Sequence, residues 1–266
     1  MNMQLTQFIK TLLTKSGLSE RHVNQMQSTD NMEIFKCAFT SPDTAPDANY
    51  EWLEQIGDVL HTSFIVNYFY SRFPYLRTQQ GVKIVARLRI KYVGRKALAA
   101  LADKLGFWDH VVASAFARCR DKEKLLEDVF EAFIGAVKIC GDNVKPDFGN
   151  VVISRMLTHI YDDEKMEISW ENLVDAKTRL KEFCDTHPDL HIKILHETSG
   201  TSKYEARVVL KDSVLGTGTS HRLVDAEQAA AEIALKTLAR KGYTLIDPTK
   251  GWGKAFAQVD LYATHV

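Results

Sequence analysis

"KLLEDVFEAFIGAV", residues 124–137, sets Leu125, Val129, Phe130, Phe133, Ile134 and Val137 at helical intervals and plants Asp128 and Glu131 three residues apart among them. A second stretch, "EWLEQIGDVL" at 51–60, repeats the arrangement. Its carboxylates Glu51, Glu54 and Asp58 share one helix face, and Leu53, Ile56, Val59, Leu60 and then Phe64 form the apolar side. Acids so spaced repel one another by a few tenths of a kcal/mol when solvated, and by more if two helices bring such faces together. Two outcomes remain open at this point. The faces are simply solvated, or they share a cation between helices that Gly57 and Gly135, beside the acids, allow to approach closely. With oxygen donors and no His or Cys repeated at ligand spacing, that cation would be hard, Mg²⁺ or Mn²⁺.

The remaining chain narrows the setting. Lys plus Arg and Asp plus Glu number 34 each in 266 residues, so any affinity for a polyanion has to be local. The four cysteines, Cys37, Cys119, Cys140 and Cys184, show no paired spacing and are expected as reduced thiols of an intracellular protein. No run approaches the roughly 18 apolar residues of a membrane helix, so a soluble protein without a membrane partner is expected. The first segment carries Leu5, Phe8, Ile9, Leu12 and Leu13 at helical spacing with no acid before Glu20. It reads as a first helix docked on the core, with an organelle-targeting peptide as the alternative to a cytoplasmic location.

Residues 1–150 read as an all-α domain ended by a loop, "GDNVKPDFGN" at 141–150. Residues 151–169 are expected as a linker, with the polar, acidic "YDDEKMEIS" at 161–169 as its clearest part. From 170 to 243 the pattern changes to α-β-β-β-α: a helix over "ENLVDAKTRLKEFCD", strands over "HIKILHET", "YEARVVLKD" and "SVLGTGTS", and a last helix over "DAEQAAAEIALKTLARKG". Gly200, Gly216 and Gly218 are expected in turns, and Gly242 at the stop of the last helix. A tail, 244–266, holds Trp252, Phe256 and Tyr262.

The two acidic boxes in this order, followed by "DAKTRLKEFC" and "GTGTSHRLVDAEQAAAEIAL", resemble the ribonuclease III family: a helical endonuclease domain, then a double-stranded-RNA-binding domain. "AFTS" at 39–42 and "LRIKYVGRKALAALADKLGF" also resemble the family's framework. The resemblance places the four metal-binding, catalytic carboxylates on Glu54, Asp58, Asp128 and Glu131. It implies Mg²⁺-dependent hydrolysis of double-stranded RNA to 5′-phosphate and 3′-hydroxyl ends by a homodimer. Four positions depart from the pattern. Gln55 stands where a Phe usually plugs a partner pocket, and Trp52 where an Arg is usual. Ser41 stands in place of a His, and Gln80 is the nearest substitute for a further acid, since none occurs between Arg77 and Asp103.

For RNA, "VKIVARLRIKYVGRK" places Lys83, Arg87, Lys91 and Arg95 four residues apart, with Arg89 and Lys96 beside them, as a basic stripe suited to phosphates. In the second domain Thr178, Lys181 and Glu182, with Lys177 at the edge, are the candidates for reading the minor groove, and His221 and Arg222 for phosphates. Residues 171–250 hold 12 basic and 12 acidic side chains, so weak, salt-sensitive binding is expected. The alternative reading is a catalytically weak or inactive ribonuclease-III-like protein that binds double-stranded RNA as a scaffold or silencing suppressor.

Overall fold

The computed structural model describes residues 3–164, 170–199 and 203–245. The chain divides into two compact units, with the division between residues 166 and 167.

The first unit is helical. α1 (Met3–Lys15) buries Leu5, Ile9, Leu12 and Leu13, the stripe expected of a docked first helix. α2 (Glu20–Met26) and α3 (Thr29–Ala38) start at Ser19 and Ser28, whose hydroxyls accept the free amides of the first turn. α4 (Glu51–Arg72) follows a short parallel bridge between Thr40 and Val112. Thr78 caps α5 (Gln79–Val93); α6 (Arg95–Leu105) ends at Gly106 in the left-handed region. α7 (Ala115–Arg120) leads into α8 (Lys122–Val144), and α9 (Phe148–Asp162) completes the unit.

α8 is the axis of this unit. Every residue from Asp128 to Val137 is buried, because α3, α4, α6 and α9 surround it. Such a helix is apolar all round except where function intervenes, and here the exceptions are the buried Asp128 and Glu131. Phe107, Phe130 and Phe133 pack edge to face beneath it, and Phe39 lies against Phe107 and Phe133.

Several expectations are corrected here. The loop at 141–150 shrinks to residues 145–147, and most of the expected linker 151–169 is α9, helical through Asp162. The reason is visible in Val152, Ile153, Met156, Leu157, Ile160 and Tyr161, which recur at helical spacing and are all buried. Residues 165–169, Gly200 and the tail aromatics Trp252, Phe256 and Tyr262 lie outside the described residues, as does the side chain of Gln80. Val59, read as part of the apolar side of α4, is 67% exposed.

The second unit holds α10 (Trp170–Leu173), α11 (Ala176–Thr186), an antiparallel sheet of β1 (Ile192–Ser199), β2 (Lys203–Leu210) and β3 (Ser213–Ser220) in that order, and α12 (Leu223–Arg240). The single helix expected over 171–185 is two, because Asp175 caps a new start by accepting the Thr178 amide. Gly216 and Gly218 are not in turns. They lie within β3, where a β-carbon would collide with the Ala230 and Ala226 carbonyl oxygens of α12. The alanine-rich face of α12, Ala226, Ala230, Ala231 and Ala234, meets these glycines, so small residues on both sides let helix and strand backbones close on one another. Gly242, at φ +89°, stops α12 as expected.

Candidate active site

The two acidic boxes meet because α4 and α8 cross at a glycine seam. A β-carbon on Gly57 would fall inside the Glu131 carbonyl, and one on Gly135 inside the Leu53 carbonyl. The backbones therefore touch at the very turns that carry the acids. Asp128 and Glu131 are buried at 3% and 7% exposure, Glu54 is half-buried, and Asp58 is exposed at the rim.

The electrostatic consequence is mutual repulsion in a poorly solvated place. Glu131 has its carboxyl pushed up to about 8, by burial first and then by Asp58, Glu127, Glu54 and Asp128. Glu54 is pushed up to about 7, by burial and then by Asp128, with Lys124 opposing. Glu54 and Asp58 thus raise the proton affinity of Glu131, and Asp128 raises that of Glu54. Of the two outcomes left open by the sequence, that of two separate solvated faces does not describe Glu54 and Glu131.

The side chains do not form a finished cage. Among the described residues no three Asp, Glu, His or Cys side chains are gathered closely enough to hold an ion. Asp128 and Glu127 find other partners instead. The Tyr50 hydroxyl donates to Asp128 Oδ2 at 2.8 Å, Lys124 Nζ stands 3.3 Å from the same oxygen, and Arg95 pairs with Glu127. Burial, and then the Asp128 charge, hold the Tyr50 phenol well above its usual range, so it remains a donor. The donor set is still chemically suited to a hard divalent cation: it is all oxygen, and the charges of Asp58, Glu54 and Asp128 reach the Glu131 carboxyl.

Tyr50, Lys124 and Glu127 are absent from the sequence reading. A signal for two of them exists: Tyr50 precedes Glu54, and Lys124 precedes Asp128, by four residues, the spacing that puts side chains on one helix face. His61, one turn beyond Asp58, belongs to the core. Its Nε2 lies 2.8 Å from the Tyr161 hydroxyl, its ring meets Phe130, and burial pushes its pKa down to about 4.

The RNA candidates are placed as follows. Lys83, Arg87 and Lys91 share α5, but the helix ends at Val93 and Arg95 opens α6, tied to Glu127. The four-residue register therefore breaks before Arg95. In the second unit Lys181 is exposed and Glu182 half-buried. The Thr178 hydroxyl donates to Asp175, and Lys177 pairs with the buried Glu227. His221 and Arg222 are both exposed, with Arg222 at the start of α12 and 3.7 Å from Asp225.

Comparison with known proteins decides the family. A Ribonuclease III domain model matches residues 51–142, which span both acidic boxes, and a Double-stranded RNA binding motif model matches 176–238. A protein of Invertebrate iridescent virus 6 with a provisional ribonuclease 3 assignment is 35% identical over 262 residues, covering 90% of this chain and 89% of its own length. The chain belongs to the ribonuclease III family. Ribonuclease 3 of Limosilactobacillus reuteri is 30% identical over 200 residues, 72% of this chain and 81% of that one. Among solved structures, the nuclease domain of ribonuclease III from Campylobacter jejuni aligns over 63% of this chain and 99% of its own, at 19% identity and a TM-score of 0.46. This ribonuclease III is accordingly an endoribonuclease with a double-stranded-RNA-binding domain. No helix among its described residues is long and apolar enough to cross a membrane.

Proposed function

We propose that Glu54, Asp58, Asp128 and Glu131 hold divalent metal, Mg²⁺ with Mn²⁺ as a substitute, for hydrolysis of double-stranded RNA. Ribonuclease III enzymes generally depend on such ions. The observation that carries the reading is the glycine seam that brings the two acidic turns together, where burial and then the charge of further acids raise the proton affinity of Glu54 and Glu131. When bound, the ion supplies charge neutralisation at the phosphate and a lowered pKa for the attacking water. Water adds to phosphorus, the bond to the 3′-oxygen breaks, and the proton passes to that oxygen, leaving 5′-phosphate and 3′-hydroxyl ends. The chain's own part is to hold the acids in register and the duplex beside them. Lys83, Arg87 and Lys91 on α5 neutralise phosphates, with Arg95 acting through Glu127. In the second unit Lys181, Glu182 and Thr178 read the minor groove, and His221 and Arg222 meet phosphates, while Lys177 steadies Glu227.

Long duplex RNA supplied with Mg²⁺ is expected to be cut to short duplexes whose 5′ ends are phosphorylated and whose 3′ ends a ligase accepts. Chelator should abolish cutting, and single-stranded RNA of the same sequence should survive. Duplex binding without cleavage at any Mg²⁺ or Mn²⁺ concentration would leave the scaffold reading in its place.

The enzyme acts as a homodimer in this proposal, since two sites are needed to cut both strands. Support comes from an exposed apolar row on α4: Trp52 at 78%, Val59 at 67% and Val66 at 39% exposure, seven residues apart. Gln55, in place of the usual Phe, is exposed on the same helix. Trp52→Glu is expected to convert the particle from the mass of two chains to that of one in sedimentation. An unchanged dimer would remove α4 as the interface.

A further inference from the structure

We propose that Tyr50 is a positioning residue that aligns one acidic box with the other by fixing which oxygen of Asp128 faces the metal; this rests on the metal-site reading above. One residue touches both boxes. The Tyr50 carbonyl accepts the Glu54 amide at 2.8 Å, opening α4, while the Tyr50 hydroxyl donates to Asp128 Oδ2 on α8 at 2.8 Å. A carboxylate offers two oxygens with about four acceptor sites. Because the phenol and Lys124 both draw on Oδ2, Oδ1 is the less committed oxygen and would face the ion, while the phenol hydrogen bond restrains rotation of the carboxylate. Lys124 approaches the same Oδ2, but its side chain is 57% exposed and its distance is 3.3 Å, so it is the partner that yields. Tyr50 cannot yield in this way. It is 3% exposed, and its amide donates to the Thr40 carbonyl at 3.0 Å.

Behind the phenol lies a second support. Ser41 is buried at 4% exposure, its amide donates to the Val112 carbonyl at 2.8 Å, and its hydroxyl lies in the surroundings of both the Tyr50 phenol and the Asp43 carboxylate. A bridge between Thr40 and Val112 ties this support to the segment that precedes α7 and α8. Partners that orient a metal's ligands typically change metal affinity or activity by about 10- to 100-fold when removed.

The test uses the full chain. Mn²⁺ binding is measured from the loss of the free-ion electron paramagnetic resonance signal, and cleavage from the Mg²⁺ dependence on long duplex RNA. Tyr50→Phe keeps the ring and removes only the hydroxyl. Its Mn²⁺ dissociation constant and half-saturating Mg²⁺ are expected to rise about tenfold. Saturating Mg²⁺ should restore kcat to within about threefold of wild type, and duplex affinity in chelator should not move. Ser41→Ala should shift Mn²⁺ affinity in the same direction by about threefold. Wild-type Mn²⁺ affinity in Tyr50→Phe, beside a wild type that binds and cleaves, overturns the assignment alone. Should Tyr50→Phe not fold, Ser41→Ala carries the decision, and unchanged affinity there overturns it. A wild type that neither binds Mn²⁺ nor cleaves overturns the metal reading and this inference together.

Discussion

Glu131→Gln is expected to lower kcat on double-stranded RNA by about three orders of magnitude, the scale of losing a preorganised charge-stabilising group, while making the metal-free protein more stable. Both effects have one cause. In the folded chain the Glu131 carboxyl is pushed up to about 8 from an ordinary value of 4.5. Between those values the folded state holds a proton that the unfolded state has released. Stability is therefore intact below about pH 4.5 and falls as pH rises toward 8. The full shift corresponds to about 4–5 kcal/mol, and solvent screening at the site brings the loss at pH 8 to the order of 3 kcal/mol. A glutamine carries no such penalty. In chelator, the melting temperature of Glu131→Gln should exceed that of wild type by roughly 5–10 °C at pH 8 and match it near pH 4.5. Mg²⁺ should close the gap by stabilising wild type preferentially. A variant that cleaves within tenfold of wild type, or melts no higher at pH 8, would falsify the placement of Glu131 among competing acids.

Gly57→Ala attacks the same site through its frame. The added methyl falls within the Glu131 carbonyl oxygen, a backbone atom that no rotamer change can move aside. α4 and α8 have to separate, and because α8 is buried throughout this region, the displacement spreads through the first unit. Overpacking of a rigid core costs about 1–3 kcal/mol, and a backbone collision belongs at or above the top of that range. The first unit is expected to melt at least roughly 8 °C lower, and cleavage to fall by more than tenfold because the boxes lose their register. Duplex binding by the second unit should persist, since its own core does not involve α4 or α8. Calorimetry with both transitions resolved, together with a cleavage assay, makes the check. A Gly57→Ala protein that melts as wild type and cleaves normally would show that the helices do not touch there.

Much of this architecture is legible along the chain because it is written in local periodicity. The 3.6-residue recurrence of Val129, Phe130, Phe133 and Ile134 marks α8, and the alternation in "YEARVVL" marks β2, since burial selects side chains at the period of the backbone that carries them. α9 is harder to see along the chain because its acidic end, "YDDE" at 161–164, has the composition of a linker while the apolar recurrence that makes it a helix lies upstream. Gly216 and Gly218 are ambiguous along the chain because a glycine supplies either φ freedom for a turn or room for a neighbour, and the sequence does not distinguish the two. Trp52 and Val59 show the same ambiguity. An apolar residue on a helix fits core or partner equally, and only packing reveals that these two are exposed.

What the sequence determined by itself is the change from a helical half to an α-β-β-β-α half, the apolar side of α8 and the four acids with their spacing, all of which depend on neighbours within a turn or two. What tertiary structure alone decided is that the two acidic faces meet. It also decided that Tyr50 holds Asp128, that Lys177 answers a buried Glu227 and that Arg95 leaves the basic row for Glu127. Those pairings join residues from 32 to 78 positions apart. Charge interactions across such separations exist only after the helices have closed on their glycines, and no local period records them.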